Sequence, residues 1–226
     1  MMKNMSDLRI NGHGSASGGK YDSVNINGSG RIDGDLDCID LKINGQCNLK
    51  GNIDADYVKI NGNSSINGNV ESKKLEINGA TDIKGSFSSE KAEIYGSISV
   101  DGDCNAEFLK IEGSFKIEGL LNADELELSL YGSSQADEIG GSKITIKRKG
   151  KYDLFGLKSI IFAFGGGKEL ITQSIEGDEI YLENTTAQIV RGDTIELGPG
   201  CEIELAEYKN SFKVNKDSTV AEHKKV

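Results

Sequence analysis

Two histidines, four cysteines and clusters of carboxylates are the groups in this chain that could carry chemistry. His13 sits between Gly12 and Gly14, and His223 lies in a charged C-terminal tail. Neither has a partner at nucleophile–base or metal-ligand spacing, so both read as solvated surface residues. Cys38, Cys47, Cys104 and Cys201 lack C-x-x-C spacing. They read as small buried thiols in a reducing compartment, not as a zinc site or a disulfide framework. The acidic run Asp33-Gly-Asp35-Leu-Asp37 lacks the Gly-Gly-x-Gly-x-Asp pattern of calcium-binding solenoids and reads as a solvated face. Arg191-Gly-Asp193 reads as a corner, and Gly165-Gly-Gly-Lys168 lacks the rest of a phosphate-binding loop. No catalytic, cofactor or metal residue is therefore predicted. The expectation is a protein that is not an enzyme and uses no cofactor.

Composition narrows the partners. The chain has 29 glycines and a single proline, Pro199, with a formal net charge of −10. An acidic chain has no electrostatic attraction to phosphate backbones, so no nucleic-acid partner is expected. Most of the excess lies in residues 1–143, with 23 acidic and 14 basic side chains. The first residues lack an apolar signal core, and no stretch approaches the length of a membrane span. The expected location is cytoplasmic.

The elements that must position these residues come from a repeat. Ile-Asn-Gly begins at Ile26, Ile43, Ile60 and Ile77, each 17 residues after the last, and the column continues as Ile94, Ile111 and Leu128. An earlier Ile-Asn-Gly begins at Ile10. Two residues ahead run Val24, Leu41, Val58, Leu75, Ala92, Leu109 and Leu126. Further columns hold Ile32 to Ile117, Leu36 to Leu121 and the small residues Cys38, Ala55, Ser72, Ser89, Ala106 and Ala123. Two columns are glycine in six successive copies, Gly28 to Gly113 and Gly34 to Gly119. Apolar and polar residues alternate within each copy, which is the period of a strand with one buried face. Repeated glycine, Asn and β-branched residues exclude helix. Three short strands per copy, separated by glycine corners, make one coil of a parallel β-helix with coils about 4.8 Å apart. Eight coils from Leu8 to about Ser142 would rise roughly 40 Å. The asparagines Asn27, Asn44, Asn61 and Asn78 would stack as a polar ladder or simply suit the turn.

The phase fails after Leu128. Strand-like pairs return at Ile144-Thr-Ile146, Ile180-Tyr-Leu182, Ile195-Glu-Leu197 and Ile203-Glu-Leu205, now spaced by 15 and 8. The expected organisation is a regular β-solenoid over 1–143, a basic and aromatic insertion or connector over 144–176, and a less regular β-rich region over 177–226. The connector gathers Lys147, Arg148, Lys149 and Lys151 ahead of Phe155, Phe162 and Phe164. It reads either as a membrane-surface contact or as an ordinary apolar strand pair with solvated lysines.

The Ile-Asn-Gly repeats, Gly14-Ser-Ala-Ser-Gly-Gly-Lys20 and the recurring I-x-G-x-[IVL]-x-G spacing resemble the bactofilins, polymer-forming cytoskeletal proteins of bacteria. The resemblance covers roughly residues 8–143, and Ile189 to Cys201 looks like the C-terminal part of longer relatives. It implies a right-handed, three-sided β-helix, polymerisation without nucleotide and a cytoplasmic place often beside the membrane. Self-association follows from the architecture too, because the end coils of a solenoid expose unpaired strand edges and core. The first coil, with Leu8, Ile10, Val24 and Ile26, is the expected assembly surface. The other functional classes are a monomeric binding platform and a β-helix enzyme of the acyltransferase kind, which the lone His13 supports weakly.

Overall fold

The structure is a computed structural model that describes residues 6–149 and 169–226. Its strands are β1 (Ser6–Lys50), β2 (Ile53–Ile66), β3 (Val70–Ile83), β4 (Phe87–Val100), β5 (Cys104–Leu130), β6 (Ser134–Arg148), β7 (Leu170–Leu182), β8 (Thr185–Leu197), β9 (Glu202–Val214) and β10 (Thr219–Lys225). They form one sheet in sequence order, and successive strands pair in parallel. This is the expected all-β solenoid of stacked coils. The long runs β1 and β5 turn corners without losing extended backbone, so each spans more than one wall.

The repeat becomes register. Leu41 pairs with Val58, then Leu75, Ala92 and Leu109, while Ile43 pairs with Ile60, Ile77, Ile94 and Ile111. Every one of these residues is buried. Each fully covered Leu or Ile contributes about 1.5–3 kcal/mol relative to an exposed one, so unbroken aliphatic columns are the main support of so thin a molecule. The small column Cys38, Ala55, Ser72, Ser89 and Ala123 is also buried, with Ala106 packed against the core.

The same two core columns run on beyond the regular repeat. Leu126 and Leu128 carry Ile144 and Ile146, which carry Ile180 and Leu182, then Ile195 and Leu197, then Phe212 and Val214. The lost phase has a local cause. Lys116 pairs with Gln135, 19 residues on, and past a register shift between Ile117 and Leu120 the offset is 18, as for Leu126 and Ile144, so the extra residues enter before Ser134 and this coil is longer than the 17-residue coils before it. That is why Gly132 arrives late in the sequence. The 15-residue spacing is a true coil length, because Ile180 pairs with Ile195. The spacing of 8 is not: Ile203 and Leu205 pair with Ala187 and Ile189, so the chain has stepped to the next wall of the coil. The segment 150–168, with Lys151, Phe155, Phe162 and Phe164, lies outside the described residues.

Candidate functional site at the corners and ends of the solenoid

One corner is built by glycine and asparagine together. Gly62 has φ of +129°, and a Cβ there would fall closer than 3.0 Å to the carbonyl oxygen of Gly45 in the coil below. Both the conformation and the close approach require glycine. One position earlier, the amides form a continuous chain. Asn27 donates through Nδ2 to Asn11 Oδ1 at 3.1 Å, Asn44 to Asn27 at 3.0 Å, Asn61 to Asn44 at 2.8 Å and Asn78 to Asn61 at 3.1 Å. The asparagines are thus a ladder along the axis and not merely turn formers. The next residue in the column is Tyr95. Beyond it a shallow groove of about 680 Å³ follows the corner past Gly79, Gly96 and Gly113 between Tyr95 and Tyr131.

A second ladder escaped the reading of the sequence. Asp35 accepts the backbone N–H of Asn52, Asn52 that of Asn69, Asn69 that of Ser86, Ser86 that of Asp103, and Asp103 that of Leu120. Each side-chain oxygen satisfies the corner N–H of the next coil, a group that would otherwise lack a sheet partner. The column mixes Asp, Asn and Ser, which share only an acceptor oxygen. The signal was present as a polar residue after each glycine of the Gly34 to Gly102 column, but it is a signal of chemistry and not of identity.

The charged walls are paired internally. Glu76 accepts Tyr57 Oη at 2.8 Å, Lys59 Nζ at 2.7 Å and Lys74 Nζ at 2.7 Å. The lysine hydrogen bonds hold its carboxyl down to about 2. Lys91 pairs with Glu93, Lys110 with Glu112 and Lys116 with Glu118. The thiols are buried: burial pushes Cys38 up to about 12, Cys47 up to about 11 and Cys104 well above its ordinary value. A thiol held neutral is a poor nucleophile and metal ligand. His13 is exposed, and His223 is exposed beside the rings of Phe212 and Tyr208. Among the described residues no group of three or more His, Cys, Asp or Glu could hold a metal ion.

The ends differ. At the N-terminal edge Leu8 is partly buried and Ile10 is 7% exposed, whereas Val24 and Ile26 are fully buried one coil further in. Of the four residues expected at the assembly surface, Leu8 and Ile10 therefore belong to the edge coil, and Val24 and Ile26 support it from behind. At the other end β10 covers part of β9, with Val220 on Ile203 and His223 on Ala206. Of the basic residues, Lys147 lies 5.6 Å from the Tyr181 ring centroid, Arg148 donates its backbone N–H to Glu183, and Lys149 donates its own to Leu130. They sit at the top of β6, where the described chain stops before residue 150. No helix among the described residues is long and apolar enough to cross a membrane.

Continuous parallel coils, capped corners and internally paired walls define the class: a parallel β-solenoid. Residues 1–88, in the N-terminal coils, match the model of the bactofilin family, described as polymer-forming cytoskeletal. The matched stretch contains the whole asparagine ladder from Asn11 to Asn78. The chain is similar to the uncharacterized protein YhbF of Bacillus subtilis strain 168, at 39% identity over 103 residues, which is 45% of this chain and 40% of that relative. It is also similar to the uncharacterized protein YhbE of the same organism, at 36% identity over 90 residues, 39% of this chain and 35% of the relative. The match thus spans less than half the length of either curated relative. No solved structure matches the chain significantly.

Proposed function

We propose that this protein is a scaffold that self-assembles end to end through its solenoid ends, without nucleotide. The observation that supports the reading is the match of residues 1–88 to a family described as polymer-forming, a stretch that includes the edge coil of Leu8 and Ile10. A strand edge with unpaired N–H and C=O groups above an aliphatic core is a template for another strand. Purified protein without nucleotide should sediment as assemblies, and the double variant Ile10→Asp, Ile26→Asp should shift them toward monomers. Unchanged assemblies in the variant would sink the role of this edge. A wild type that stays monomeric would favour a binding platform instead.

A second reading concerns the membrane. Three successive basic residues, Lys147, Arg148 and Lys149, stand at the top of β6, and Lys151, Phe155, Phe162 and Phe164 follow in the sequence. Cationic and aromatic residues close together in sequence suit an anionic lipid surface. Wild type should float with anionic liposomes, and a Phe155→Ser, Phe162→Ser, Phe164→Ser variant should not. Equal flotation of both, or none by wild type, would end this reading.

A further inference from the structure

Beside the glycine corner the solenoid carries a trough that its own side chains leave open. The groove between Tyr95 and Tyr131, about 680 Å³, adjoins a second hollow of about 340 Å³ through Asn63 and Ala80. The column Gln46, Asn63, Ala80, Ser97 and Ser114 runs along both in register, so the trough lies parallel to the solenoid axis. Its floor cannot be filled from within. A Cβ on Gly96 would strike the carbonyl of Gly79, and one on Gly113 that of Gly96. A bare backbone floor lets a ligand approach closely.

Pitch, hydrogen-bond sense and charge together select an occupant. Tyr95 pairs with Glu112 in the next coil, and Tyr131 of the coil after that donates its backbone N–H to Gly113 O at 3.0 Å. The two tyrosines thus stand two coils apart, about 9.6 Å along the axis. A polyproline II helix has three residues per turn and rises about 3.1 Å per residue, about 9.3 Å per turn, so it repeats with the two-coil step. An extended strand repeats about every 6.8 Å and falls out of phase. Tyr95 is 39% exposed, and its ring is braced: Lys110 Nζ lies 5.6 Å from the ring centroid and pairs with Glu112 at 2.8 Å. Aromatic rims seat proline-rich segments, whose preformed helix loses little entropy on docking. Proline has no N–H, and the backbone of such a segment shows solvated carbonyl acceptors. The trough has a donor to meet them. Ser64 Oγ lines it in a residue 6% exposed, with no hydrogen-bond partner among the described residues. A buried hydroxyl left unpaired is costly, so a ligand carbonyl there is favoured. Asp82 and Glu112, the charged residues lining the trough, are both carboxylates, which favours a cation beside the prolines. The sequence itself holds a single proline, Pro199, so none of its own segments fits.

We propose that this trough binds a proline-rich segment of a partner protein, in the polyproline II conformation and flanked by basic residues. Tyr95 and Tyr131 clasp successive turns of the segment, and Ser64 donates to one of its carbonyls. The trough runs along the side of the solenoid, so the proposal is independent of the end-to-end reading. Fluorescence anisotropy with a labelled peptide of about nine prolines, about three turns, followed by arginines tests it. The full chain should bind this peptide, and a glycine–serine peptide with the same arginines should bind roughly tenfold more weakly or worse. Tyr95→Ala should weaken the proline peptide by roughly tenfold or more, the scale of an aromatic anchor, while Tyr95→Phe should retain it. Ser97→Lys, which puts a long cationic side chain into the trough, should abolish binding, with circular dichroism showing that the coils remain folded. Equal affinity for the two peptides would reduce the trough to an acidic surface and overturn the proposal. Binding indifferent to Tyr95→Ala, or no binding by wild type, would overturn it too. A neutral oligosaccharide that binds wild type and not Ser97→Lys, where the proline peptide does not bind, would overturn it in favour of a glycan.

Discussion

The glycine corner permits the most quantitative test of the stacking. Replacing Gly62 by alanine meets two obstacles. The residue has φ of +129°, which L side chains resist, and its Cβ would overlap the backbone carbonyl of Gly45. Adopting a left-handed backbone costs roughly 1–2 kcal/mol and overpacking a further 1–3 kcal/mol. The obstacle is backbone, itself held by the next coil, so it cannot rotate away as a side chain could. A total of about 2–5 kcal/mol corresponds to a fall in Tm of roughly 4–20 °C for a chain of this size. Gly132 supplies the control, since its φ is unexceptional and its Cβ would first meet Ser114 Cβ at 3.3 Å. Gly132→Ala should cost less than about 1 kcal/mol, within the range of ordinary surface substitutions and small adjustments. Thermal and urea unfolding followed by circular dichroism read both. If Gly62→Ala unfolds within about 1 kcal/mol of wild type, the coils do not approach as described, because an overlap with backbone has no cheaper escape.

Other consequences concern polar groups. The hydroxyl of Thr81 is buried without a hydrogen-bond partner among the described residues, in a residue 2% exposed. Thr81→Val should therefore raise stability by about 1 kcal/mol, measured as a higher urea midpoint at unchanged slope; a loss would mean that the hydroxyl is satisfied. Glu76 has a folded pKa of about 2, below its ordinary 4.5. A depressed carboxyl contributes stability that is present above its unfolded pKa and lost as pH falls through the folded value. Wild type should thus lose about 1–2 kcal/mol between pH 5 and pH 2 relative to Glu76→Gln, a figure discounted for solvent screening of a surface cluster. Equal acid sensitivity of the two proteins in urea titrations would show that the Tyr57–Lys59–Lys74 cluster contributes nothing.

Much of the fold was legible because a solenoid writes its contacts as sequence period. Ile43, Ile60 and Ile77 share a residue type, a spacing and, in the structure, a column. The acceptor ladder from Asp35 to Asp103 was hidden because physics there constrains an oxygen atom and not a side chain. The C-terminal phase was hidden for a different reason. Core columns conserve the number of walls, while corners absorb insertions, so Ile144, Ile180 and Ile195 remain stacked although the intervening lengths differ. His223 read as a solvated tail residue; it is exposed, yet it terminates a core column, a position that only the pairing of β10 with β9 discloses. The edge residues were legible as a group, and the stacking of Asn27 on Asn11 agrees with the Ile-Asn-Gly column in putting Ile10 and Ile26 on successive coils.

Sedimentation equilibrium of the full chain without nucleotide, with and without Ile10→Asp, tests the central claim most directly. The account predicts reversible self-association of the wild type that strengthens with concentration and is abolished by Ile10→Asp in a protein that remains folded. A single monomer mass at every concentration, or association indifferent to Ile10, would contradict it.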